Sequence, residues 1–260
     1  MHFSGKSRGC KGGKCRYVGR VKISVIVPAF NEEKLLGASL AGIQAAAEVF
    51  TRRGWDFELI VCDNNSTDRT GDIARGAGAR VVFEPFNQIA RARNTGASVA
   101  TGDWLIFVDG DSHPSAGLLA DVAAQIESGR CLGGGATIRL DEKRPVAGVV
   151  AWLWNYASRA GRWLAGSFIW VEAATFRRLG GFSHELFAGE ELEFSQRLKR
   201  LARETGRRVV ILHRHPLVTS ARKMRLYTLW DHLRLLVRVS WDRRTLTRRE
   251  DCTIWYDGRR

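Results

Sequence analysis

The sequence predicts an α/β fold with a central, mostly parallel sheet flanked by helices, and three observations lead to it. Short, continuously apolar runs alternate with longer helical stretches through the first half of the chain. Runs of that kind suit strands covered on both faces, and helical crossovers between them make neighbouring strands parallel. Three of the runs end in polar clusters, Pro28 to Glu32, Asp63 to Asp68 and Asp109 to Asp111. Ligands bind beyond the carboxyl ends of the strands in such sheets, so the three clusters are expected to converge on one site.

Each element follows from local pattern. Met1 to Arg20 carries six Lys or Arg and no acid, and is expected to be a flexible basic segment. Ile23 to Pro28 is a β-branched run that Pro28 should stop, hence a buried strand. Asn31 is placed to cap a helix over Glu32 to Phe50. Phe57 to Cys62 reads as a second strand ending at Asp63, and Ser66 to Asp68 as the cap of another helix. Val81 to Phe83 is a third strand, Gln88 to Ala100 a helix, and Trp104 to Val108 a fourth strand ending at Asp109. Further on come a helix over Pro114 to Ser128, a Gly-rich strand over Leu132 to Leu140 and a Trp-heavy helix over Val146 to Ala165. Ser167 to Glu172 returns to the sheet, Glu190 to Thr205 is a helix and Arg208 to Leu212 a last strand. Leu226 to Trp241 forms a basic amphipathic segment.

Composition narrows the function classes. Hydrophobic residues make up 45% of the chain, enough for a sizeable core. The longest apolar stretch, Val146 to Trp170, is interrupted by Arg159 and Arg162, so no run approaches the about 18 residues of a membrane span. The amino terminus lacks the apolar stretch of a signal peptide, and a cytoplasmic location is expected. Five scattered cysteines do not read as a disulfide framework, and Cys10 and Cys15 lack a second ligand pair for a metal knuckle. The net charge of +14 fits a solvated surface, nucleic acid or an anionic membrane face. No zinc finger, RRM signature or other nucleic-acid module is present, so no nucleic-acid partner is expected.

The clearest chemical signal is Asp109-Gly110-Asp111 behind an apolar strand. Residues i and i+2 at a strand end point the same way, so both carboxylates are expected to face one ligand, with Gly110 allowing close backbone approach. Two carboxylates with open coordination positions suit Mg²⁺ or Mn²⁺, which then takes its other oxygens from a diphosphate. Glu191, Phe194, Leu198 and Leu201 share one stripe of the later helix, which places Glu191 inward and Glu190 and Glu193 elsewhere. Trp152, Tyr156, Arg159 and Trp163 form another stripe. Packing against the sheet is put first for it, ahead of stacking on a sugar or seating at a membrane interface.

At this point the sequence resembles family 2 glycosyltransferases. The resemblance rests on Ser24 to Glu33, Leu59 to Thr70, Ala92 to Ala97 leading into Leu105 to Asp111, and Gly180 to Phe182 followed by Ala188 to Glu191. It implies a GT-A fold with a Rossmann-like, nucleotide-binding first half. It also implies one domain over residues 21–222, a nucleotide-sugar half to 112 and an acceptor half from 113, between basic segments 1–20 and 223–260. Carried over position by position, Pro28, Asn31, Glu32, Asp63, Arg93, Asn94 and Asp109 are implied at the nucleotide. Asp63 would contact the base; its neighbour is Asn64 where the family usually has a second Asp. Asp109 and Asp111 are implied as ligands of Mn²⁺ or Mg²⁺, with His213 as a further one. Arg222 would face the diphosphate, although a solvated Arg is the alternative. Glu191 stands where the family usually places an aspartate general base, with Glu190 serving the helix dipole. The expected activity is metal-dependent transfer from a UDP or GDP sugar to an acceptor, inverting by family default. The absence of a Gln-x-x-Arg-Trp motif points to non-processive transfer. The alternatives are a nucleotidyltransferase and a catalytically silent membrane-binding module. The Leu226 to Trp241 segment adds an expectation of weak, salt-sensitive association with anionic membranes.

Overall fold

A computed structural model describes residues 8–11, 14–17, 20–141, 145–220, 246–248, 250 and 252. Arg222 and the Leu226 to Trp241 segment lie outside the described residues. The elements run β1 (Arg8–Lys11), β2 (Lys14–Tyr17), β3 (Lys22–Ala29), α1 (Leu36–Thr51), β4 (Asp56–Asp63), α2 (Thr70–Gly76), β5 (Arg80–Phe83) and α3 (Ile89–Ser98). They continue with β6 (Trp104–Val108), β7 (Ser112–His113), α4 (Ala116–Ser128), β8 (Cys131–Leu140) and α5 (Pro145–Gly161). Then follow β9 (Phe168–Glu172), α6 (Ala173–Arg178), α7 (Glu190–Glu204) and β10 (Arg208–Thr219).

One eight-stranded sheet organises the chain in the order β5-β4-β3-β6-β9-β8-β10-β7. The β3/β4, β4/β5, β3/β6 and β8/β10 pairs are parallel, and β9 runs antiparallel between β6 and β8. The basic amino-terminal stretch contains the antiparallel β1/β2 hairpin, in which Cys10 stands opposite Cys15.

Both faces of the sheet are covered, as apolar runs without alternation require. On β3, Ile23, Val25 and Val27 join a core with Leu36, Leu40 and Ile43 of α1 and Leu118 and Val122 of α4. Ile26 points the other way, into a core with Ala90 of α3, Phe176 of α6 and Phe194 and Leu198 of α7. Each such large apolar side chain contributes about 1.5–3 kcal/mol by leaving water. Strand β8 passes between β9 and β10 only because it is glycine there: a Cβ on Gly134 would sit 1.8 Å from the Val210 carbonyl oxygen.

Four expectations are corrected. Helix α1 begins at Leu36, not Glu32, and Asn31 does not cap it; the residue at its amino end is Leu35, without a side-chain cap. The Asn31 to Glu33 amides bond to the second strand-end loop, and Asn31 takes a left-handed φ of 52°. Strand β10 runs on to Thr219, carrying His213 and His215 within it through a register shift between Leu212 and Leu217. Helix α5 turns Trp152 and Tyr156 outward, exposed rather than packed on the sheet.

Candidate active site

The first two strand ends are laced by side chains. The Asn31 N–H donates to Ser66 Oγ at 3.0 Å, the Glu32 N–H to Thr70 Oγ1 at 2.8 Å and the Glu33 N–H to Asp68 Oδ2 at 3.1 Å. In return the Thr67 N–H donates to Asn31 Oδ1 at 2.8 Å. Asn31 adopts a left-handed φ of 52°, a conformation that asparagine tolerates better than most residues. Asp68 closes a local turn, accepting from the Thr70 N–H at 2.9 Å, while the residue at the amino end of α2 is Arg69, without a side-chain cap. Burial would raise its pKa, but the bonds from Thr70 and Glu33 outweigh that and lower it. Ser66 and Asp68 thus act as loop ties.

Asp63 ends β4 beside Ala29 of β3, half-buried, and its Oδ1 accepts from the Ser66 N–H at 2.9 Å. Its neighbour Asn64 is buried and uses its whole amide. The Nδ2 donates to the Glu84 and Phe86 carbonyls, and Oδ1 accepts from the Gln88 N–H at 3.1 Å. An aspartate could not make the first two bonds, which gives Asn64 a structural reason of its own.

The third strand end meets the first. A Cβ on Gly110 would touch Glu32 Cγ and the Pro28 carbonyl oxygen at 3.6 Å, an ordinary contact. The Ser112 N–H bonds the Asp109 carbonyl at 3.0 Å, so Asp109 to Ser112 is a turn, and strand alternation does not orient the two carboxylates. Asp109 and Asp111 are both half-buried. Glu32 is buried beneath this turn.

Arg93 connects this turn to the start of α7. Its guanidinium, 1% exposed, donates through Nη2 to Asp109 Oδ1 at 3.0 Å and to the Gly166 carbonyl at 2.7 Å, and through Nη1 to Glu190 Oε1 at 2.7 Å. It also lies 5.4 Å from the centre of the Phe182 ring. Burial alone would lower its pKa, but Asp109, Glu190 and Glu191 raise it. A side chain this enclosed offers a nucleotide no surface, so Arg93 is a framework cation rather than a nucleotide contact. Asn94 is committed likewise: Nδ2 donates to the Phe182 carbonyl at 2.8 Å and Oδ1 accepts from the Phe182 N–H at 3.0 Å. It pins the turn at Gly181, whose φ of +72° only glycine holds without strain.

The two glutamates exchange their expected positions. Glu190, not Glu191, is buried with Phe194, Leu198 and Leu201. Glu191 is half-buried, its carboxyl carbon 3.5 Å from where a Cβ on Gly166 would lie. Burial, then the charge of Glu191, push the Glu190 carboxyl up to about 8 against the pull of Arg93, and the two carboxyls share a hydrogen bond. Glu191 is therefore the member open to a ligand, and Glu190 the one that holds it.

His213 is exposed within β10, and His215 is paired with Asp121 Oδ2 at 3.0 Å on the flank of α4. Among the described residues no group of three His, Cys, Asp or Glu side chains forms a metal-holding cluster, so His213 does not complete one with Asp109 and Asp111. Sequence reading missed Gly166, Ser167 and Gln88. The Ser167 carbonyl accepts from the Asp109 N–H at 3.3 Å, and Gln88 Nε2 holds the His184 and Leu186 carbonyls at 2.7 and 2.8 Å. No pattern flags Gly166 or Ser167, because their roles use only backbone carbonyls.

The model of glycosyl transferase family 2 matches residues 24–171. An uncharacterized glycosyltransferase of Mycobacterium bovis is 34% identical over 139 residues, 54% of this chain and 55% of that relative. The chain thus spans about half the length of the curated relatives it matches. Among solved structures, the mannosyltransferase PcManGT of Pyrobaculum calidifontis, in complex with GDP-Man and Mn²⁺, superposes with a TM-score of 0.61 at 22% identity, covering 84% of this chain and 61% of that one. Glucosyl-3-phosphoglycerate synthase of Mycobacterium tuberculosis, with Mn²⁺, UDP and phosphoglyceric acid, gives 0.58 at 18% identity over 88% of this chain and 80% of that one. These likenesses show the GT-A fold.

Proposed function

The chain belongs to glycosyl transferase family 2, and from that premise we propose that it transfers a sugar from a nucleotide diphosphate sugar to an acceptor hydroxyl. The carrying observation is the Arg93 bridge, which ties Asp109 of the Asp-Gly-Asp turn to the acid pair of α7. It sets two half-buried carboxylates suited to a diphosphate-bound cation beside one half-buried carboxylate suited to a proton.

The donor set fits Mn²⁺ or Mg²⁺. Such ions take one or two carboxylates and complete their shell from substrate phosphates, so a three-residue protein cage is not required. Asp111 and Asp109 would hold the ion, which when bound neutralises charge on the departing diphosphate, an effect of several kcal/mol. The remaining steps belong to the chain. Asp63 accepts an N–H from the base of a UDP or GDP sugar. Glu191 takes the proton of the acceptor hydroxyl as its oxygen attacks the anomeric carbon. The carbon–oxygen bond to the diphosphate breaks, and nucleoside diphosphate leaves. Attack from the face opposite the leaving group inverts the anomeric carbon, and one sugar is transferred per encounter.

Calorimetry of UDP and GDP tests the donor side. Affinity is expected to rise about tenfold or more with Mn²⁺ or Mg²⁺ over EDTA, and Asp111→Ala to erase that difference without unfolding the chain. Equal affinity with and without the ion would remove the diphosphate site from this turn. Asp63→Asn keeps an acceptor for the Ser66 N–H but loses the carboxylate. It is expected to weaken nucleotide binding while the ion dependence persists; unchanged affinity would reduce Asp63 to a turn residue. Release of pyrophosphate in place of nucleoside diphosphate during turnover would favour a nucleotidyltransferase.

A further inference from the structure

Helix α5 leaves an apolar stripe uncovered. Val149, Trp152, Leu153 and Tyr156 are 56%, 65%, 54% and 69% exposed. With Ala160 they recur at i, i+3, i+4, i+7 and i+11, one continuous apolar face. The side turned toward β8 carries Trp154, whose indole nitrogen is buried, together with polar anchors. Asn155 Oδ1 accepts from the Ile138 N–H and Nδ2 donates to the Ile138 carbonyl, each at 2.8 Å, while buried Ser158 donates to the Trp163 carbonyl at 2.6 Å. A surface helix of a water-filled environment buries its apolar stripe and exposes its polar one. Here an apolar stripe stays exposed, and the Trp152 and Tyr156 rings stack on each other outside any core, centroids 6.3 Å apart. A contiguous exposed patch of this kind marks an interaction surface.

We propose that the outer face of α5 docks on an anionic lipid bilayer. Charge selects that occupant over a second copy of the chain. The net charge is +14, and no Asp or Glu stands between Lys143 and Val171. Exposed Arg159 and Arg162 flank the aromatic face. Two copies meeting there would bring like charges together, whereas anionic headgroups neutralise them. Trp and Tyr concentrate at the headgroup level of membranes, and an amphipathic helix with a basic edge lies in that layer. Among the described residues no helix is long and apolar enough to cross a membrane, so α5 lies on the surface.

The helix also leads into the site. Just beyond it, the Gly166 carbonyl holds Arg93, and a Cβ on Gly166 would lie 3.5 Å from the Glu191 carboxyl carbon. Docking through α5 therefore brings the lipid near the chain that leads to Glu191 and fits an acceptor presented from the membrane. That consequence rests on the transfer reaction proposed above; the docking itself does not.

Co-sedimentation of the full chain with phosphatidylcholine vesicles, with and without phosphatidylglycerol, separates the possibilities. Binding is expected only with the anionic lipid at low salt, with a blue shift in tryptophan emission. The double variant W152E/Y156E is expected to lose affinity about tenfold or more while keeping its circular dichroism and its nucleotide binding. The variant L229E/L233E is expected to retain vesicle binding. Three results would overturn the assignment: no binding at any salt, W152E/Y156E binding like the parent chain, or loss confined to L229E/L233E. A concentration-dependent dimer dispersed by W152E/Y156E, without vesicle binding, would give this face to a second copy. Because donor binding is read separately, vesicle binding can fail while the transfer reading stands, and the reverse.

Discussion

Arg93→Met is expected to destabilise the fold by about 3–5 kcal/mol, the cost of removing one partner from a buried charge network. The methylene stem is roughly replaced, so the loss reports the guanidinium. Its three acceptors, Asp109, Glu190 and the Gly166 carbonyl, come from three separate parts of the chain. Arg93→Lys is not a rescue, because one ammonium cannot reproduce a planar fork with two nitrogens engaged. Urea unfolding read by tryptophan emission measures the effect, and a loss under about 1 kcal/mol would mean the network is worth no more than a surface pair.

The same network makes stability depend on pH with a definite sign. Burial first, then the charge of Glu191, raise the Glu190 carboxyl from 4.5 to about 8. Between those values the folded chain binds more protons than the unfolded one, so stability falls as pH rises through that window. Glu190→Gln can still accept from Arg93 and carries no titration. It is expected to flatten this slope in unfolding curves taken across the window, and an unchanged slope would place its source elsewhere.

These expectations rest on contacts that the sequence only half discloses. The strands of the first half were legible because Ile23 to Val27 and Trp104 to Val108 are apolar at every position but Ser24, and only a sheet covered on both faces uses such runs. The convergence of three strand ends was legible for the same reason. The orientation of the acid pair was not. Phe194 lies at i+4 from Glu190 and at i+3 from Glu191, so helical periodicity admits either glutamate onto the buried face. Arg93, 97 positions earlier, decides the matter by bonding Glu190. Asn31 was misread on similar grounds. A cap is a local device, whereas its actual partner, Thr67, is 36 residues away. Arg93 and Asn94 are placed at the nucleotide only by the family resemblance, and both spend polar atoms on the frame that spaces the loops.

Glu191→Gln is expected to lower acceptor transfer by roughly two to four orders of magnitude, the range of a lost general base, while donor affinity with Mn²⁺ stays near that of the parent chain. Gln keeps the size and the helix but cannot take a proton. The control has to come from an acid of α7 that does not bond Arg93. Glu190→Gln cannot serve, since Glu190 is buried on Arg93. Glu193, paired with Arg197 at 2.6 Å one turn along the helix, carries the same charge away from the Arg93 network, and Glu193→Gln is expected to transfer at the parent rate. Glu191→Asp adds a probe of reach. Asp withdraws the carboxylate by one methylene from its place 3.5 Å from where a Cβ on Gly166 would lie. Partial activity would mean that the acceptor follows the carboxylate inward. The measurement is nucleoside diphosphate release in the presence of acceptor, run beside donor titrations on each variant. If Glu191→Gln turns over like the parent chain, the base is not on α7, and the Arg93 bridge would be a structural clamp with no part in proton transfer.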